Sequence, residues 1–163
     1  MGKNSFGQLG LGGGGDKTSP VIVPAFSGVA DCFARNEAVA FLMLDGRAFV
    51  AGQNDYGQLG IGSKANQPTP IQVPLPGLVV SIGAGYKNFI WVLDDGSVWG
   101  AGNCHRGELG QGEETQTGND KGPGNWPIFT NPVQFVGLGA AAGVNVKMAS
   151  ISGYQAHFLV QES

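Results

Sequence analysis

Few side chains in this sequence could do chemistry. His105 and His157 are the only histidines, and Cys32 and Cys104 the only cysteines. Asn103-Cys104-His105 offers groups that bind metals, but a zinc site takes about four ligands and no others accompany these. A cysteine–histidine nucleophile needs a hydrogen-bond geometry that adjacent residues of one turn do not provide. No Cys-x-x-Cys spacing occurs, so both cysteines read as free thiols. His157 lies in an apolar run and reads as a core or edge residue. The carboxylates sit in turns (Asp45, Asp94, Asp95) or in a polar stretch (Glu113, Glu114, Asp120), and no pair suggests acid–base work. The expectation is a protein with no catalytic residues, no metal and no cofactor.

Two glycine patterns imitate phosphate loops. Gly10-Leu11-Gly12-Gly13-Gly14-Gly15 satisfies G-x-G-x-x-G, but it follows no strong strand, and Ser19-Pro20 prevents a helix from opening behind it. In Gly15-Asp16-Lys17-Thr18, Asp16 separates Gly from Lys and sets a carboxylate where a phosphate would lie. Both read as turns, and a small-molecule ligand is not expected.

The elements that carry these residues follow from composition and periodicity. Charged residues are 13% of the chain, about half the usual share of roughly 25%, while glycine reaches 29. With 42% hydrophobic residues the chain can bury a core, so this composition means turn-dense β-structure rather than disorder. Net charge is −3 and the nine Lys and Arg are scattered, which excludes the basic cluster of a non-specific nucleic-acid binder. No stretch approaches the roughly 18 apolar residues of a membrane span, and Met1 to Gly15 does not read as a signal peptide.

A repeat organises the whole chain. Asn4-Ser5-Phe6-Gly7-Gln8-Leu9-Gly10-Leu11-Gly12 matches Asn54-Asp55-Tyr56-Gly57-Gln58-Leu59-Gly60-Ile61-Gly62, and both match Asn103 to Gly112. Gly7, Gly57 and Gly107 stand fifty residues apart, as do Pro20 and Pro70, and Asp45-Gly46 and Asp95-Gly96. Each Asp-Gly turn joins an apolar run, Ala38–Leu44 or Asn88–Asp94, to a second short β-rich run. The runs are continuous and too short for helices, which suits strands buried on both faces. Such a sheet needs copies stacked against it, as in a propeller.

The signature Asn-x-x-Gly-Gln-Leu-Gly-x-Gly, followed by x-Pro-x-x-Val-Pro and an Asp-Gly hairpin, resembles the regulator of chromosome condensation repeat. The resemblance implies an all-β fold of four-stranded antiparallel propeller blades, about three in this chain, as one domain over 1–163. The repeats fall at approximately 1–50, 51–100 and 101–163. Many members carry a His three residues after a Gly before the apolar strand; counting from Gly85 and Gly153, Asn88 and Ala156 stand there. Three blades do not close a ring of the usual 4–8. The expectation is a segment of a longer propeller, or an arc completed by other copies or by a partner.

Two insertions break the period. Pro70 and Pro132 are sixty-two residues apart, so twelve extra residues fall within a polar segment at 113–126. That segment carries Glu113, Glu114, Asn119, Asp120, Lys121 and the large aromatic Trp126. A loop added to a rigid scaffold is a common place for function, and Trp126 is the kind of residue that anchors a partner. Folding of Trp126 back onto its own blade is the alternative. A second insertion of six residues is placed around 137–144, counting from Gly85 to Gly153. The expected function is a non-catalytic protein–protein interaction scaffold whose partner is a protein or another copy of the chain. Guanine-nucleotide exchange on a small GTPase and inhibition of an enzyme are the alternatives the resemblance implies.

Overall fold

The computed structural model describes residues 1–23, 26–111, 120–124, 126–139, 142–152 and 155–161. The apolar runs and Asp-Gly turns form antiparallel hairpins. The first sheet has the order β1-β2-β3-β4, from Val29–Arg35, Ala38–Met43, Ala48–Gly52 and Gln67–Gln72. The second contains β5 (Val79–Ala84), β6 (Asn88–Leu93), β7 (Val98–Asn103), β8 (Asp120–Lys121) and β9 (Pro127–Gln134), in the order β5-β6-β7-β9-β8. The third is the hairpin of β10 (Asn145–Ser152) and β11 (Gln155–Gln161). Pro68 and Pro70 lie in β4, the outer edge of its sheet, where a missing N–H costs no ladder bond.

Equivalent hairpins keep one register. Phe41 faces Phe49 across β2 and β3, and Trp91 faces Trp99 across β6 and β7. Each Asp-Gly turn is closed by its own carboxylate. Asp45 Oδ1 accepts from the Arg47 amide at 3.1 Å and Asp95 Oδ1 from the Ser97 amide at 2.8 Å. Those bonds, with the Ser97 side chain foremost at Asp95 and the Arg47 amide at Asp45, hold both carboxyls below their ordinary range. Gly46 and Gly96 take φ of 81° and 78°, as these turns require.

Stacking buries both faces of the middle sheet. Phe89, Trp91 and Leu93 of β6 pack against Ala38, Ala40, Ala48 and Val50 of the first sheet and Val73 just beyond β4. Ile90 and Val92, on the opposite face, pack with Val98 against Val146, Ala149 and Ile151 of the third. All six residues of β6 are buried, which is why its sequence is a continuous apolar run. Trp91 is fully buried in the first seam; removing an aromatic ring of that size from water is worth on the order of 5 kcal/mol. Sheets stacked face to face in this way are the blades of a partial β-propeller.

Register also corrects three placements made from spacing. Val79 pairs with Leu93 and Ile82 with Trp91; in the third sheet Val146 pairs with Val160 and Ala149 with Phe158. The step between these blades is sixty-seven residues, so the second insertion holds five residues and not six. His157 therefore stands where Ile90 stands, one position beyond the counterpart of Phe89 that counting from Gly153 would give it. Gln155, rather than Ala156, is the counterpart of Asn88. Ser152, which pairs with Gln155, is the counterpart of Gly85, whose amide donates to the Asn88 carbonyl, so counting from Gly153 shifted the alignment by one.

Candidate protein-interaction site

Three turns of the repeat share one skeleton. Gly7, Gly57 and Gly107 each donate their N–H to the carbonyl three residues earlier, on Asn4, Asn54 and Cys104. The counterpart of Asn54 in the third turn is thus Cys104, and the spacing-based match to Asn103 is one residue out. The side chain at the next Gln or Glu accepts from the turn amide: Gln8 from Phe6, Gln58 from Tyr56, and Glu108 from Arg106. Asn4 and Asn54 do more. Their Oδ1 atoms accept from Leu9 and Leu59, and their Nδ2 groups donate to Gly13 and Ser63 carbonyls in the following loop. Cys104 offers only a weak S–H donor in place of that Nδ2 group, and its Sγ accepts from the Leu109 amide.

The polar insertion follows this altered turn. Gly52 pairs with Gln67, fifteen residues on, whereas Gly102 pairs with Phe129, twenty-seven residues on. Twelve residues are therefore added between β7 and β9, as the proline spacing indicates. Their described part makes β8, which adds to the outer edge of β9 through Asp120 opposite Ile128 and Lys121 opposite Pro127. The Gly122 amide donates to the Trp126 carbonyl at 3.0 Å and closes the hairpin.

Trp126 turns toward its own blade without being buried there. Its indole stacks on His105 of the third turn, with ring centroids 4.5 Å apart and planes 11° apart, and it stays 40% exposed. The ring is seated on its own blade and keeps part of its surface open. His105, weighed from sequence as a metal ligand, is the platform under it. Among the described residues no group of three or more His, Cys, Asp or Glu is placed to hold a metal ion.

Asp120 and Lys121 meet the preceding blade. Lys64 Nζ lies 3.0 Å from Asp120 Oδ2 and donates to the Lys121 carbonyl at 3.1 Å. The Lys121 amide and the Lys64 ammonium hold the Asp120 carboxyl below its ordinary range. Tyr56 borders the hairpin at Gly122, and on its ring lies the Lys87 ammonium, 4.9 Å from the centroid and 5.4 Å from that of Tyr86. Lys87 also donates to Gln53 Oε1 at 2.8 Å. Spacing along the chain carries no sign of Tyr56, Lys64 or His105 as neighbours of the hairpin, because blade stacking brings the first two there and the path of its own blade brings His105. Glu113, Glu114 and Asn119 lie outside the described residues.

An open groove of about 620 Å³ runs along the inner strands β1, β5 and β10, past Asp31, Phe33, Ser81, Lys147 and Met148. No helix among the described residues is long and apolar enough to cross a membrane.

Comparison with known proteins agrees with this architecture. The family profile for the Regulator of chromosome condensation (RCC1) repeat matches residues 45–89. No curated protein sequence is matched. Prp20p from Saccharomyces cerevisiae, whose crystal structure was described with its binding properties to Gsp1p and histones, superposes with a TM-score of 0.76 at 18% identity. That superposition covers 98% of this chain and 38% of Prp20p. A chain in the crystal structure of Kap60 bound to yeast RCC1 (Prp20) gives 0.65 at 18% identity, over 79% of this chain and 29% of that one. Human WBSCR16 gives 0.73 at 21% identity, over 98% and 39%. This chain thus spans two fifths or less of each of these proteins. Residues 45–89 are an RCC1 repeat, and the chain that carries them folds as consecutive blades of a β-propeller.

Proposed function

We propose that this chain is a non-catalytic protein-interaction module and that its contact surface is the inserted segment at 113–126, centred on Trp126. The observation that carries the reading is the Trp126–His105 stack: a large aromatic held flat at one face and 40% exposed. A ring already fixed in place loses little freedom when a partner covers it, which is how Trp anchors protein interfaces. Asp120 and Lys121 beside it supply a polar rim, and Glu113, Glu114 and Asn119 belong to the same segment. Prp20p, which shares the fold, has described binding to Gsp1p and histones, so its likeness supports a protein as the partner class.

The test is affinity capture with the full protein, followed by titration of each purified partner against Trp126→Ala and Asp120→Ala/Lys121→Ala. Loss of affinity of tenfold or more for Trp126→Ala supports the reading. Unchanged affinity of every partner for both variants refutes it. Nucleotide exchange on a small GTPase is the second reading, favoured by the RCC1 repeat match. Nucleotide release from a GTPase panel separates the two, since a scaffold leaves the release rate unchanged.

A further inference from the structure

We propose that the β8–β9 hairpin is a strap that fastens the second blade to the first, with Lys64 as its positioning residue. The core of the propeller seam is made by apolar side chains, most of them from the middle strands. At its outer side the described contacts of the hairpin are polar and specific. One ammonium, on Lys64 of the first blade, reaches the Asp120 carboxylate at 3.0 Å and the Lys121 carbonyl at 3.1 Å. Two acceptors on successive residues of β8 fix both the position and the direction of that strand, which a carboxylate contact alone would not do.

Tyr56 makes the second attachment. It belongs to the first blade, yet it lies between two parts of the second: the hairpin at Gly122 and the Lys87 ammonium in the β5–β6 turn. A methyl group added at Gly122 would stand 3.2 Å from Tyr56 Cδ1 and 2.9 Å from Ile128 Cγ2, so only glycine lets the hairpin lie this close. Lys64 and Tyr56 flank the tight Gly57–Gly62 segment, whose Gly62 amide donates to the Thr130 carbonyl of β9 at 2.8 Å. The strap thereby continues an existing backbone attachment between the blades toward the surface. It stands whether or not Trp126 meets a partner, because every contact in it is internal.

The experiment is hydrogen exchange of backbone amides in the isolated full chain, comparing the parent with Lys64→Ala, Lys64→Glu, Asp120→Lys and the double exchange Lys64→Glu/Asp120→Lys. Lys64 is 43% exposed at its side chain, so these substitutions leave the core intact. The Gly122 amide is the reporter, since it closes the hairpin onto Trp126. The expected result is exchange at Gly122 three- to tenfold faster in Lys64→Glu and smaller acceleration in Lys64→Ala. Amides of β6 should be unchanged, and the double exchange, which restores the ion pair but not the bond to the Lys121 carbonyl, should recover part of the parent rate. In 1 M salt the parent should move toward Lys64→Ala, because the Debye length falls to about 3 Å. Unchanged Gly122 exchange in Lys64→Glu would overturn the strap, as would equal acceleration in β6 or a double exchange no slower than Lys64→Glu alone. None of these outcomes bears on partner binding, which is read separately by titration.

Discussion

Cys104 stands in the third turn where Asn54 stands in the second, and it keeps the two bonds that close the turn. Each offers its carbonyl to the glycine three residues on, and each receives the amide five residues on, at Leu59 or Leu109. Asn54 also donates to the Ser63 and Ala65 carbonyls at 2.8 and 3.1 Å, tying a short loop shut. The Cys104 amide goes to the Pro127 carbonyl at 3.1 Å, at the far end of the insertion. The replacement of a side-chain amide by a thiol and the lengthening of the loop occur in the same repeat.

Asn54→Ala should therefore destabilise the protein far more than Cys104→Ala. Asn54 is fully buried, and its removal strands the buried Leu59 amide and two loop carbonyls, at a cost of about 2–3 kcal/mol. Cys104→Ala removes one weak acceptor and should cost about 1 kcal/mol. Urea unfolding of the two variants measures the difference, and equal midpoints would show that Asn54 has no special place.

Cys104 should be the slow thiol and Cys32 the fast one. Burial pushes the Cys104 thiol above its ordinary range, the nearby Glu108 carboxylate adds to this, and the Leu109 amide opposes it. Cys32 is exposed on β1. Titration with a thiol reagent at pH 8 should show one rapid and one protected group. The same raised value has a consequence for stability: the unfolded thiol, with a value of 9.0, gives up its proton before the folded one. The contribution is intact below that pH and is lost as pH rises toward the folded value. Unfolding midpoints of the parent and Cys104→Ala, measured from pH 8 upward, should converge.

Gly57→Ala and Gly107→Ala make a matched pair. Both positions have positive φ, 67° and 78°, so both pay the strain of an L-residue there, about 1 kcal/mol. At Gly57 the new methyl would also lie 2.8 Å from Thr130 Cα, a backbone atom of the neighbouring blade, while at Gly107 it meets nothing within 4 Å. Gly57→Ala is expected to cost about 3 kcal/mol or more, since crowded backbone must move. Thermal unfolding of both variants checks it, and near-equal losses would mean that the seam yields.

Trp126→Ala should separate binding from folding. With 40% of the residue exposed, its removal should lower stability by about 1 kcal/mol, against about 3–5 kcal/mol for truncating the fully buried Trp91. Denaturant midpoints for both variants, set beside partner titration of Trp126→Ala, provide the measurement. A large stability loss at Trp126 would make it a structural residue.

Local chemistry made much of this fold legible. The Asp-Gly turns, the prolines of the outer strand and the fifty-residue step of Gly7, Gly57 and Gly107 each carry their own cause, because turns and strand edges are decided by neighbouring residues. The insertion length could likewise be counted, since Pro70 and Pro132 occupy equivalent positions. The one-residue errors at Cys104 and at His157 came from matching letters where the chain conserves geometry. Asn103 has the right letter, but Cys104 has the carbonyl that closes the turn.

What the sequence determined by itself is the blade: its hairpins, its period, its buried middle strand and the place where twelve residues are added. What only tertiary structure decided is the company those residues keep. Trp126 lies on His105, twenty-one residues away, and Lys64 reaches Asp120, fifty-six residues away. No periodicity encodes such pairs. The first depends on how the inserted hairpin folds over its own blade, and the second on how one rigid sheet seats against the next, which is set by the combined fit of two buried faces.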